Sequence, residues 1–353
     1  MIDRLIDGAR LAAGVLFLLT AGGAAGHHSR VNFDLERTIE LEGTVVRWQY
    51  RNPHAFLHLD VVDDAGETER WVVETGSIVN MKQIDVHRDT LAVGDRVRVV
   101  ANPEKDPQHN YAFFNSMTLE DGREFSFAGV FAYSRNAGAR EGQPGSSDFT
   151  GIWDEVATPR AALVTAALPD YPVTAAGRRI LDSYDPDEEP GNTCGEDGLP
   201  KMIRTFYATE ITRDESAYYL DYEFYNVRRT VHMNVDTHPE DIEPSDYGHS
   251  IGRMEGDVLV VDTVGFAPAK WGIGDGLDSS VQKRVVERYE LKEGGHIMEI
   301  TYTVTDPVYL AEPFTRTHVK RYVPNYVIVD SEPCDPETAR LHLEIERRST
   351  PQD

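Results

Sequence analysis

The chain has 353 residues, with 60 Asp and Glu against 35 Lys and Arg, so its formal charge is −25. That balance argues against a nucleic-acid partner, because counter-ion release onto phosphates needs clusters of Lys and Arg, and an acidic surface repels anionic headgroups as well. With 40% hydrophobic and 9% aromatic residues the chain can bury real cores, and at about 150 residues per domain its length predicts two domains.

Residues 1–26 read as an export signal. Arg4 and Arg10 precede an apolar run from Leu11 to Leu19, and Ala21-Gly22-Gly23-Ala24-Ala25-Gly26 supplies the small residues that precede a cleavage site. The run is too short to span a bilayer and no later stretch approaches the apolar length that a crossing helix needs. The expectation is a periplasmic or secreted chain with no membrane insertion after cleavage. Cys194 and Cys334 are the only cysteines. In an exported chain an even count favours a disulfide, with two buried thiols as the alternative. A bridge would tie the C-terminal tail to the start of the second domain.

The first half, 27–135, shows strand-like runs at 39–48, 55–62, 68–74, 96–101 and 112–118, with Asn52-Pro53, Ala65-Gly66, Gly94-Asp95 and Asp121-Gly122 as turns. Only 77–86 reads as helical or irregular. Five strands with one insert between the third and fourth predict a small barrel of the oligonucleotide/oligosaccharide-binding (OB) type, although the charge disfavours the nucleic-acid ligand. Residues 136–147 (NAGAREGQPGSS) carry no apolar periodicity and mark a linker.

The second half, 148–353, opens on Phe149-Thr150-Gly151-Ile152-Trp153 and a Pro-rich stretch to about Leu199, within which the acidic run 182–189 reads as solvated surface. Strand patterns then follow at 205–212, 216–225, 228–235, 250–254, 258–264, 282–292, 296–305 and 315–322, joined by hairpin turns. About eight antiparallel strands led by a Gly-x-Trp segment predict a closed, lipocalin-like β-barrel able to hold one small ligand, with a packed sandwich as the alternative. The fold class expected is therefore all-β, an OB-like barrel followed by a lipocalin-like barrel.

Several of these residues carry a family likeness. Gly26-His27-His28-Ser29, Leu41-Glu42-Gly43-Thr44-Val45, Trp48, Asn52-Pro53-His54, Trp71-Val72-Val73-Glu74 and Gly94-Asp95-Arg96-Val97 together resemble a family of exported bacterial proteins of unknown function that begin His-His-Ser after signal cleavage. The likeness covers 26–125 and departs from the usual pattern at Gly26, where Ala is more common. Gly248 to Arg253, Glu255-Gly256-Asp257 and Leu259 to Thr263 are similar to uncharacterised lipocalin-like domains. Neither resemblance supplies an activity.

Four constellations could carry chemistry. Cleavage behind Gly26 would leave His27 and His28 at the terminus, where an α-amine and imidazoles favour Cu(II) or Ni(II). His54 or His58 would add a third ring, so copper is the one cofactor the sequence suggests. The alternative is a mobile polar terminus. Gly248-His249-Ser250-Ile251-Gly252 matches a nucleophile elbow, with Asp306 and His318 following in hydrolase order. A loop and a hairpin flank it rather than a buried strand and a helix, so the glycines fit a tight turn better.

On the strand at 228–235, Arg228, Thr230 and His232 share one face and Arg229, Val231 and Met233 the other. An inward polar group there needs a partner, and Glu223, Asp262, Glu287 and Glu299 are the candidates. Ordinary outward ion pairs are the alternative. Trp271 stands in a Gly-rich loop expected over the barrel mouth, and neither that loop nor Asp275 and Asp278 supplies a nucleotide or calcium motif. The resulting expectation is a small, largely apolar ligand bound by Glu223, Tyr225, Arg229, His232, His249, Asp262, Trp271 and Glu287, with no catalytic residue assigned. Copper at His27, His28 and His54 is the first alternative. An enzyme, isomerase-like through His232 or hydrolytic through Ser250, is the second. The sequence leaves the oligomeric state open.

Overall fold

A computed structural model describes residues 32–63, 65–155, 168–224 and 226–347. The N-terminal segment 1–31, with the expected signal and with His27 and His28, lies outside the described residues, as does Tyr225. Among the described residues no helix is long and apolar enough to cross a membrane.

The first barrel uses β1 (Ile39–Gln49), β2 (Phe56–Val62), β3 (Thr68–Glu74), β4 (Arg96–Pro103) and β5 (Tyr111–Leu119), with β6 (Glu124–Ser126) appended to β5. The order β3-β2-β1-β4-β5 closes through a parallel pairing of β3 with β5, Val72 opposite Tyr111. A register shift between Val45 and Arg47 bends β1 so that it can serve both β2 and β4. Helix α1 (Ile78–Gln83) starts where the Ser77 side chain accepts from Asn80 N, and it buries Ile78, Val79 and Met81 in the insert between β3 and β4. This is the five-stranded barrel expected. The sequence pattern misses α2 (Ala128–Asn136), whose helical content is hidden by two aromatic residues and a glycine in nine positions.

The second barrel is β7 (Gly151–Glu155), β8 (Thr209–Arg213), β9 (Ala217–Tyr222), β10 (Val227–His232), β11 (His249–Glu255), β12 (Val258–Val264), then β15 (Arg284–Lys292), β16 (Ile297–Thr305) and β17 (Phe314–Tyr322), closed by β17 pairing with β7. The intervening β13 (Ala269–Gly274) and β14 (Leu277–Ser279) form a separate ribbon. All eight strand patterns of the second half are strands here. The ninth is the Gly-x-Trp segment, which becomes β7 and seats Trp153, with no exposed surface, between β17 and β8. Nine strands cannot alternate direction around a closed circle, so one neighbouring pair must run parallel. That pair is β10 and β11, with Val231 opposite Ser250, and it corrects the expectation of a wholly antiparallel wall. The Gly-rich "loop" at Trp271 is likewise corrected: it is the β13–β14 ribbon.

Alternation sets the interior. Arg229 and Val231 of β10, Leu259, Val261 and Thr263 of β12, Val285, Glu287 and Tyr289 of β15, and Met298, Ile300, Tyr302 and Val304 of β16 are all buried. The chain after β17 leaves this barrel and lies along the first. Asn52 Nδ2 donates to Ser331 Oγ at 2.8 Å, Asp335 N donates to Asn52 O at 2.9 Å, and Leu341 and Ile345 pack on the core of the first barrel. They belong to α5 (Leu341–Arg347), which follows the short α4 (Pro336–Ala339). Cys194 and Cys334 are bonded and anchor this returning segment to the second barrel. The 136–147 stretch is docked too: Ser146 N donates to Gly295 O at 3.0 Å, and a Cβ on Gly295 would collide with Ser146 O.

Candidate functional site

Inside the second barrel Arg229 of β10 stands against Glu287 of β15, three strands along the wall. Its Nη1 donates to Glu287 Oε1 at 3.0 Å and its Nη2 to Glu287 Oε2, while Nε reaches Ser250 Oγ at 3.0 Å and Nη2 reaches Thr263 Oγ1 at 2.9 Å. Tyr289 donates to Glu287 Oε1 at 2.7 Å, and the Tyr222 hydroxyl is also hydrogen-bonded to Arg229. Glu287 has no exposed surface and Arg229 has 3%. Burial alone would favour a neutral Arg229, yet Glu287 outweighs it and holds the guanidinium charged. Every polar group in this cluster has a partner, and the apolar side chains around it are at most a few per cent exposed. The described cluster is therefore internally neutralised.

Glu223 sits apart from that cluster at the barrel's end, 2% exposed. Its carboxylate accepts from Tyr326 Oη at 3.1 and 2.8 Å, from Val329 N at 2.8 Å and from Ala208 N at 3.2 Å. Burial pushes its pKa up to about 7; the three donors oppose this and Asp154 adds to it. The neighbouring Lys320 is 2% exposed and donates to Thr205 O at 3.2 Å, with burial holding it below the usual ammonium range against the pull of Glu155, Asp154 and Glu223.

His232, His249 and Asp262 are on the outer wall. Their neighbours in sequence point inward, so strand alternation turns these three outward. There they meet His238, which no periodicity marks in the sequence because it lies in the loop between β10 and β11. His232 stacks on His249 with ring centroids 5.0 Å apart, and His238 Nδ1 lies 2.9 Å from His249 Nδ1.

The Ser250 triad that the motif suggested, and its flanking loop and hairpin argued against, is not assembled. Ser250 is 1% exposed with its hydroxyl engaged by Arg229 and Thr263. Asp306 accepts from Ser280 N and Oγ, and His318 pairs with Glu155 at 2.8 Å.

In the first barrel the quoted motifs converge. The Asn52-Pro53 turn presents His54, 28% exposed at its side chain, whose Nδ1 is 2.5 Å from Glu74 Oε1 at the end of β3. Tyr111 donates to the other oxygen of Glu74. Burial works to raise the Glu74 pKa, but His54, Tyr111 and His342 of α5 outweigh it and hold the carboxylate low. His58 is elsewhere: its Nε2 is 2.5 Å from Gln49 Oε1, and burial, helped by Arg47 and Arg70, lowers its pKa to about 4. Among the described residues no group of three or more His, Cys, Asp or Glu side chains is placed to hold a metal ion.

Trp271 borders a small, open cleft at the mouth of the second barrel, with Lys201, Lys283, Asp197 and Asp246. Lys201 is matched by Asp197 at 2.7 Å. Lys283 is 2% exposed and donates to Leu199 O at 2.8 Å and Gly272 O at 2.9 Å, over the Phe266 ring at 4.2 Å. Burial lowers its pKa to about 8, against Asp246 and Asp306.

Fold and sites together define a disulfide-braced protein of two β-barrels. The model of a family of unknown function (DUF6152) matches residues 16–112, the span that includes His54 and Glu74. Among solved structures, the chain is similar to a mutant of the fluorescent protein UnaG, at 14% identity and a TM-score of 0.25, covering 50% of this chain and 96% of that one. No curated protein matches.

Proposed function

We propose that the protein binds a transition-metal ion, Cu(II) by preference, through imidazoles on its first barrel, with His54 as the donor that the fold orients and His27 and His28 as further donors. The observation that carries this is Glu74 on His54 Nδ1. A carboxylate on one ring nitrogen fixes the tautomer and aims the other nitrogen, Nε2, at a metal, and Glu74 is itself fixed by Tyr111. Phe33 packs on Tyr111 with ring centroids 5.1 Å apart. Imidazole and amine donors rank Cu(II) above the other divalent first-row ions.

The test is a Cu(II) titration of the chain processed to begin at His27, alongside His54→Ala and Glu74→Gln. His54→Ala should weaken binding by more than about tenfold, and Glu74→Gln by about 10- to 100-fold. Unchanged affinity in His54→Ala would remove the reading.

A second reading, small-molecule binding, draws on the mouth cleft rather than on the interior. Lys283 is buried and donates to two backbone carbonyls, with Asp246 and Asp306 acting on it, and a ligand carboxylate in the cleft would give it a direct ion pair. Matched fragment pairs, each a small aromatic carboxylate and its amine, should divide by ligand-observed NMR: carboxylates bind wild type and not Lys283→Met. Binding by the amines alone would exclude it.

A further inference from the structure

We infer that the outer wall of the second barrel carries a separate bis-imidazole metal site, formed by His238 and His249 and open to solvent on its remaining coordination positions. It rests on different residues from the His54 proposal and stands without it.

The two Nδ1 atoms face each other at 2.9 Å, with the rings nearly edge to face. Two nitrogens bound to one ion at about 2.0 to 2.1 Å, near a right angle, lie about 2.9 Å apart, so the pair is already at chelating separation. Without metal, one ring donates Nδ1–H to the other. The opposite nitrogen of His238, Nε2, is buried and has no hydrogen-bond partner, and the nearest carboxylate oxygen, Asp262 Oδ2, is 3.8 Å away. Asp262 is the carboxylate that faces this nitrogen. A carboxylate on that side is where a metal-bound histidine finds its supporting acceptor. Asp262 favours the tautomer with hydrogen on His238 Nε2, which leaves His238 Nδ1 bare.

Asp262 is itself fixed, since Arg284 grips both of its oxygens at 2.7 and 2.6 Å. The parallel pairing of β10 with β11 puts His232 beside His249, stacked at 5.0 Å, where it walls one side. Two protein donors form an open site, with water or an incoming small ligand completing the shell. Imidazole donors suit Cu(II), Zn(II) and Ni(II), with Cu(II) bound most tightly.

The experiment uses the full chain carrying His27→Ala, His28→Ala and His54→Ala, with Cu(II) as the probe. One equivalent of Cu(II) should remain, and its electron paramagnetic resonance should show hyperfine coupling to two imidazole nitrogens. Adding His238→Gln or His249→Gln should weaken that equivalent by more than about tenfold. The site is overturned if the triple variant retains no Cu(II), if the retained copper shows oxygen donors alone, or if both Gln variants bind as tightly as their parent. The His54 proposal fails on a different result, an unchanged affinity between wild type and His54→Ala.

Discussion

The Tyr326 hydroxyl donates to Glu223 Oε2 at 2.8 Å, and the hydroxyl oxygen accepts from Gln83 Nε2 at 2.6 Å. One atom thus joins the end of β9 in the second barrel, α1 of the first, and the segment that runs between them. Tyr133 of α2 packs edge-on against the same ring, with centroids 5.1 Å apart. The contact between the barrels is therefore built around a buried carboxyl group, and its proton is part of the stability of the assembly.

Glu223 should make stability fall as pH rises from about 4.5 to about 7. The folded carboxyl holds its proton up to about pH 7 and the unfolded one only to its ordinary 4.5. Across that window the folded state binds more protons, and the contribution is complete below it and lost above it. The shift corresponds to about 3 kcal/mol. Urea unfolding of wild type and Glu223→Gln at steps through this range measures it, because the difference between the two isolates this group. A difference that stays constant with pH would contradict the assignment.

Arg229→Met should cost about 3 to 5 kcal/mol, since it strands the wholly buried Glu287 without its cation. The pair itself is less valuable than that number suggests. Arg229→Met combined with Glu287→Leu removes both charges and keeps most of the volume, so it should recover much of the loss. Denaturant midpoints of the two variants decide the matter: a double variant no more stable than the single one would mean that Tyr289, Ser250 and Thr263 need the charges.

Much of this architecture is legible in the sequence because period-two patterns report directly on a barrel wall. Eight strands of the second barrel follow from alternation, whereas the burial of Arg229 against Glu287 depends on which face of β10 is inside, which alternation leaves open. The ninth strand is hidden because five residues, Gly151–Glu155, are too few to show a period. The sequence groups His232, His249 and Asp262 with interior residues because alternation gives two faces and does not say which is inside. The contacts of Asn52 with Ser331 span 279 positions, and no local pattern announces such a meeting. The same applies to Glu74, which stands in a motif whose spacing does not connect it to His54. His238 shows the limit most plainly, since a loop residue acquires its role only when two strands bring others to it.

His58 should remain neutral far below the ordinary histidine range. Its folded pKa of about 4 against 6.5 means that the unfolded state binds the extra proton first, so this group's contribution is present above pH 6.5 and is lost as pH falls toward 4. Its direction is opposite to that of Glu223. Nitrogen-detected NMR of the imidazole provides the check, and a ring that titrates near 6.5 would show that Gln49 and burial do not hold it neutral.

Breaking the disulfide should loosen the returning segment before either barrel. Cys194 and Cys334 are 140 positions apart, and closing a loop of that length is worth about 5 kcal/mol in the chain-entropy account. Cys334 also forms a bridge with Asn52, whose amide holds Ser331 on one side and whose carbonyl oxygen Oδ1 accepts from Ile78 N at 3.0 Å on the other. In the Cys194→Ser/Cys334→Ser variant that set of contacts must hold the segment alone, against the freedom of a chain no longer tethered to the 190s. Amide exchange should therefore accelerate at 329–345 while β15 and β16, each paired on both sides, stay protected. Adding Asn52→Ala should extend the acceleration to the start of α1. If exchange rises uniformly over both barrels instead, the segment is an integral part of one cooperative unit and the disulfide stabilises the whole.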